Sequence, residues 1–179
     1  FEYPKPILKP DEYITCEEAI GDLPALLDIV GEDKQSYECP PQSEYQNERR
    51  KGSDAIYNNH GTIHDAKTKK FIAMVPEGKN YKSLPPEYDG IYKYHEALTR
   101  YHSKKPSPTI NTGHRSHFHY KWNRIPTVRE SARLQSFDDT FIFFGNKTQQ
   151  YRQVGNAVPP LLGKAIAVEI LKWLDKRYG

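Results

Sequence analysis

Residues 124–139 read RIPTVRESARLQSFDD, and residues 153–160 read QVGNAVPP. In the first string Thr127 and Glu130 have the T-x-x-E spacing of a capping box, in which a hydroxyl and a carboxylate each satisfy an orphan backbone donor at a helix start. The spacing predicts a helix over 128–136 that stops near Asp138 and Asp139. Arg129, Glu130 and Arg133 then stand at i, i+3 and i, i+4 distances, which suits a structural ladder of ion pairs better than catalysis. The second string reads as a loop. Gly155 permits close backbone approach there, and Asn156 offers a donor and an acceptor in one amide, a combination that can line a small-molecule pocket or cap the following helix. Pro159 and Pro160 suit the first turn of that helix, where no N–H is needed. From Leu161 to about Lys176 apolar residues cover most of the circumference, leaving a thin polar strip at Lys164, Lys172 and Lys176. A helix of this kind must be covered from more than one side.

The rest of the chain offers little cover. Of 179 residues 36% are apolar by a count that includes thirteen Tyr, below the roughly 45–50% of an ordinary globular domain. Fourteen Pro and eleven Gly imply loops and short extended pieces. Residues 1–13 hold three of those prolines and read as an extended lead-in from another module. Thr15 and Glu18 repeat the capping-box spacing and Gly21 supplies a stop, so a short helix is expected over 16–20. A second short helix is expected near 44–51. The apolar run FIAMV at 71–75 suits a buried strand. Residues 88–101 could be helix or strand, PSPTI at 106–110 reads as a turn entering a strand, 111–120 as a flexible polar loop, and TFIFF at 140–144 as a strand or packed turn.

Net charge is only +3, but it is uneven. Lys93, Arg100, Lys104, Lys105, Arg115, Lys121 and Arg124 are opposed by Glu96 alone, and His95, His102, His114, His117 and His119 share the same stretch. Such a cluster reads as an electropositive surface for a polyanion or as a solvated face. His114, His117 and His119 have a spacing that zinc could use, yet Arg115 between them and the lack of a nearby Cys or carboxylate favour a polar loop facing nucleic acid, so no metal is assigned. Cys39 lies between Glu38 and Glu44, the wrong field for a thiolate, and Cys16 reads as a small core residue. The two cysteines form no paired spacing, which suggests a reducing compartment. No apolar run approaches about 18 residues, which argues against a membrane-spanning helix.

Taken together the two opening strings resemble the ninth and tenth conserved motifs of the DNA cytosine-5 methyltransferases. RIPTVRESARLQSFDDTF is similar to R-x-x-T-x-R-E-x-A-R-L-Q-x-F-P-D, with Asp138 where the family usually has Pro. PSPTI looks like the family's threonine dipeptide region in the target recognition domain, and FEYPKPILKP followed by TCEEAIGDLP looks like the segment after the eighth motif. The glycine-rich cofactor motif, the Pro-Cys nucleophile motif, the Glu-Asn-Val motif and the Gln-x-Arg-x-Arg motif are not in this sequence. The resemblance therefore implies the C-terminal part of such an enzyme, with those motifs preceding Phe1 or carried by a separate catalytic subunit.

The implied fold is a mixed α/β fragment: a lead-in over 1–25, a small, irregular, β-rich target recognition domain over 26–125, and a closing region over 126–179 whose helix belongs to a doubly wound methyltransferase domain. The implied cofactor is S-adenosylmethionine, lined by Asn156, Ala157 and Val158. The implied partner is double-stranded DNA, met by loops near 92–105 and 111–120, with Arg100, Thr109, Asn111, His114, Arg115, Ser116 and His117 as candidate contacts. Arg129, Glu130, Arg133, Gln135, Gln153 and Gly155 would organise the motifs, and no catalytic residue is implied in this chain, which alone should be inactive. A bacterial restriction-modification setting in the cytoplasm, at the nucleoid and without a membrane, follows from the resemblance. The competing reading is a stand-alone basic nucleic-acid-binding module. The two differ on the final helix, which a self-sufficient module must bury.

Overall fold

The computed structural model describes residues 1–88, 98–113 and 116–178. Six α-helices occur among them, α1 (Cys16–Ile20), α2 (Glu44–Arg50), α3 (Ala66–Met74), α4 (Val128–Leu134), α5 (Lys147–Asn156) and α6 (Pro160–Tyr178), with four two-residue strands, β1 (Lys34–Gln35), β2 (Ile56–Tyr57), β3 (Thr99–Arg100) and β4 (His117–Phe118). Antiparallel β1 and β2 pair Lys34 with Tyr57, and parallel β3 and β4 pair Thr99 with His117. The recognition region is thus not β-rich among the described residues. Side chains replace ladders there. Asn58, at φ 61°, accepts from the Phe143 N–H (2.9 Å) and donates to the Phe143 carbonyl (2.8 Å), as a neighbouring strand would. Gln35 donates to the Asn59 carbonyl (2.7 Å) and accepts from the Asn59 side-chain amide (2.9 Å).

Helix α1 packs on α4 and α2, and α4 packs on α5. Its first donors reach the loop before PSPTI, with Cys16 N–H on Lys105 O (2.9 Å) and Glu17 N–H on Ser103 O (3.0 Å). One apolar cluster unites Cys16, Tyr101, Ile110, Val128, Phe143, Tyr151 and Val154, and so draws on every part of the chain. A second, of Ile72, Val75, Tyr81, Leu98, Phe118 and Ile125, is drawn wholly from 26–125.

Several expectations need correction. FIAMV is the end of helix α3, not a strand, because Asp65 caps that helix by accepting the Thr68 N–H at 2.7 Å and Ile72 and Val75 are buried at helical spacing. The first four residues of QVGNAV are the last turn of α5, whose start is a capping box between Asn146 and Gln149. Residues 106–110 join no ladder. Within 111–120, His117 and Phe118 form β4 and His119 is buried, so that stretch is not a free loop. The alternatives for 88–101 fall mainly on residues outside the described ones. TFIFF joins no ladder and buries only Phe143, which Asn58 holds. Helix α4 ends two residues earlier than 136, in a Schellman turn with Phe137 N–H on Ala132 O and Ser136 N–H on Arg133 O.

Helix α6 has no buried residue. Within Lys147–Tyr178 an 18-residue window is apolar enough to cross a bilayer by length and composition, although Lys164 and Glu169 break the apolar run.

Candidate functional site

Helix α4 is the hub, and its charged residues are inside. Thr127 Oγ1 accepts from Glu130 N–H (3.0 Å) while Glu130 accepts from Thr127 N–H (2.7 Å), as the spacing predicts. Beyond that, the ladder expected within the helix is absent, and each charge is paired with a distant segment. Arg133 donates to Asp139 Oδ1 (2.6 Å) and to Asp22 Oδ1 and Ala19 O (both 3.1 Å). Arg129 donates to the carbonyls of Tyr57, Asp138 and Phe141. Glu130 receives both arms of Arg124, at 2.8 and 2.7 Å. Burial alone would raise the Glu130 carboxyl, but Arg124, His119 and the Thr127 N–H outweigh it and hold the pKa at about 2. Interior ions survive only with such partners.

The end of α4 clamps the QVGNAVPP turn. Gln135 Nε2 donates to Val154 O (3.1 Å) and Ala157 O (3.3 Å), the carbonyls where α5 stops. Ser136 sits in the left-handed region at φ 67°, a place glycine usually takes, and its Oγ accepts the Leu161 N–H at the start of α6 (3.1 Å). The hydroxyl explains why serine stands there. Gln153 donates to Phe144 O (2.8 Å). The three residues assigned to the cofactor lie on this turn: Asn156 and Val158 are exposed, the latter at 61%, and Ala157 is half-buried against the core. They form one fixed wall rather than an enclosed pocket, a form that fits a cofactor held between this wall and another surface.

The candidate DNA contacts divide. His114 and Arg115 lie outside the described residues. Arg100 must be withdrawn, because it is buried and its guanidinium is spent on Val75 O (2.7 Å), Ile72 O, His119 O (3.1 Å) and Asn123 Oδ1 (2.9 Å). Arg124 is likewise internal and Lys104 pairs with Glu17, so the basic stretch is less basic at its surface than its sequence suggests. Thr109 and Asn111 are exposed, and Asn111 Oδ1 accepts the Gly113 N–H (2.9 Å) in a tight turn. Ser116 is half-buried, and His117 stacks on Tyr101 with ring centroids 5.1 Å apart. Burial pushes the His117 pKa down to about 4. His119 is buried, and its Nδ1 accepts from Lys121 and Trp122 N–H at 3.0 and 3.2 Å. That geometry leaves no lone pair at Nδ1 for a metal, and among the described residues no group of three His, Cys, Asp or Glu could hold one. Asn111, Gly113, His117, Ser131 and Tyr151 border a small cavity behind the 109–113 segment.

Comparison with known proteins settles the family. The model of the C-5 cytosine-specific DNA methylase family matches residues 9–172, nearly the whole chain. The chain belongs to that family. This methylase chain is 36% identical over 181 residues to the type II methyltransferase M.DdeI of Desulfomicrobium norvegicum, an alignment covering 90% of the chain and 43% of the relative. It is 42% identical over 122 residues to the type II methyltransferase M1.HphI of Haemophilus parahaemolyticus, covering 68% and 33%. The chain thus spans less than half the length of these curated relatives. A solved structure described as a prophage-encoded DNA modification methyltransferase of E. coli shares the fold, with TM-score 0.70 at 22% identity over 90% of this chain and 47% of that one.

Proposed function

We infer that this chain is the target-reading and closing part of a cytosine-5 DNA methyltransferase of the type II restriction-modification kind. The observation that carries this reading is helix α6, which leaves Leu161, Leu162, Ile170 and Leu171 in water in a chain shorter than half of its relatives. Monomers rarely expose contiguous apolar surface beyond a few hundred Å². The missing cover is the catalytic part, whose helix layer α6 completes in a doubly wound domain. A bilayer would also cover an apolar helix, but the family match runs through residue 172 and so includes most of α6; the working place is the cytoplasm, on DNA.

In this reading residues 26–125 form the recognition domain, whose private core of Ile72, Val75, Phe118 and their neighbours supports the division. Thr109, Asn111, Ser116 and His117 face double-stranded DNA, His114 and Arg115 are further candidates from the sequence, and backbone and base contacts of this kind position the duplex. The target cytosine must leave the stack before its ring can be attacked, and the attacking thiolate belongs to the other part. S-adenosylmethionine supplies the methyl group. Asn156, Ala157 and Val158 line its pocket, and Gln135 and Ser136 hold that lining still.

The test is reconstitution. The chain and a catalytic part carrying the Pro-Cys motif are mixed with unmethylated duplex and methyl-labelled S-adenosylmethionine. Label is expected in cytosine only when both parts are present. Transfer by the chain alone, or none with both parts shown to associate, overturns the reading.

A further inference from the structure

We propose that Gly155 is a positioning residue that couples target binding to cofactor binding, by seating the cofactor turn directly on the backbone of the DNA-facing segment. The proposal rests on the roles inferred above for Thr109, Asn111 and Asn156. A Cβ built on Gly155 would lie 2.5 Å from Asn111 C, Asn111 O and Thr112 N. All three are backbone atoms, so no side chain can swing aside. Ordinary carbon contacts sit near 3.5–4.0 Å, so any side chain at 155 must part the two segments by about 1 Å. The glycine is thus the point where the recognition segment and α5 meet without an intervening layer.

Both partners of the contact are held from behind. On one side Ile110 is buried in the core beside Tyr151 and Val154, and Asn111 is fixed in its turn by the Gly113 N–H. On the other, Gln135 grips the carbonyls of Val154 and Ala157, and Ser136 grips the Leu161 N–H. Thr109 stands two residues before Asn111, and Asn156 directly follows Gly155. When a duplex shifts the 109–112 segment, the displacement passes to the cofactor turn, because close-packed contacts transmit strain and the clamp leaves little slack. By linkage, cofactor binding must then favour the same placement of the segment, with the same factor in both directions.

The experiment uses the complete enzyme, this chain together with its catalytic part. Binding of S-adenosylhomocysteine is measured by calorimetry with and without saturating unmethylated plasmid duplex, for the unsubstituted protein, Gly155→Ala and Ile110→Val. The unsubstituted enzyme should show tightening by DNA within the roughly 5- to 150-fold span of ordinary couplings. Gly155→Ala should bring that factor close to one and raise the KM for DNA, because the added methyl group parts the two segments. Ile110→Val, which only loosens the segment's anchor, should lower the factor part-way with the fold intact, and it decides the matter where Gly155→Ala does not fold. Factors within twofold of the unsubstituted value in the folded variants overturn the proposal. An unsubstituted enzyme that binds neither ligand overturns the family role of the site, and the coupling with it.

Discussion

Helix α4 buries Arg129, Glu130 and Arg133, whereas helix α6, nearly three times as long, leaves Leu161, Leu162, Val168, Ile170, Leu171 and Leu174 exposed. The usual sorting of charge outside and hydrocarbon inside is reversed between them. The reversal has a physical logic. Every ion on α4 finds its counter-group in this chain, in Asp22 from the lead-in, Arg124 from the recognition region and Asp139 from the closing turn. Helix α6 carries no buried residue, and its start is held by the Ser136 hydroxyl. The charged seam therefore makes one body of the chain's own segments, and in the reading proposed above the apolar helix is the part of that body that meets the catalytic part.

Breaking the seam should have the largest effect. Arg133→Met leaves Asp22 and Asp139 without their main shared cation in the interior, and losing one partner of a buried pair costs about 3–5 kcal/mol. Urea unfolding of the chain should show that loss as a lowered midpoint at unchanged slope. Adding Asp139→Asn to Arg133→Met should restore part of it, because the carboxylate left with only Arg129 at 3.7 Å goes too, while Asp22 keeps Arg50 at 2.8 Å. A single variant as stable as the parent means the seam does not hold the segments together.

Acid should act next, in two stages. Burial lowers His119 and His117 to about 4, against about 6.5 in an unfolded chain. Between those values the unfolded chain binds more protons, so stability is full above about pH 6.5 and falls as pH drops toward 4. At 1.36 kcal/mol per unit the two rings set an upper limit of roughly 3 kcal/mol each. Glu130, held at about 2, contributes above the unfolded value near 4.5 and loses that contribution as pH falls from there toward 2. Urea midpoints that do not move between pH 7.5 and 5 would contradict the lowered histidine pKa values and shift the whole acid response to the carboxylates.

The parts legible in the sequence were those encoded over three or four residues. Thr15 with Glu18 and Thr127 with Glu130 mark helix starts because the two side chains of a capping box meet locally. The Asn146 and Gln149 box was equally local, and it would have revealed α5 had the Gly155–Asn156 pair not suggested a loop. FIAMV misled because five apolar residues do not distinguish a period of 2 from one of 3.6. The site was harder. Arg100 counts as a surface cation in any linear tally, yet four internal acceptors claim it, and no local signal predicts which acceptors the fold will bring. The seating of Gly155 on Asn111 joins positions 44 apart, beyond the reach of any pattern along the chain.

The smallest effect on stability should come from the helix with the most exposed hydrocarbon. Leu171 is 59% exposed, so Leu171→Glu should change the chain's own unfolding free energy in urea by less than about 0.5 kcal/mol, as surface substitutions do. The same change should weaken association with the catalytic part by at least about tenfold, because a carboxylate carried into an apolar interface loses its water without gaining a partner. Lys176→Glu, on the polar strip, is the control and should leave both quantities alone. Equilibrium sedimentation of the mixed parts measures the association. Should Leu171→Glu instead unfold the chain by itself, α6 would have to be packed on its own body in solution. The contrast with α4 would then vanish, because both helices would be serving the interior of one self-sufficient module.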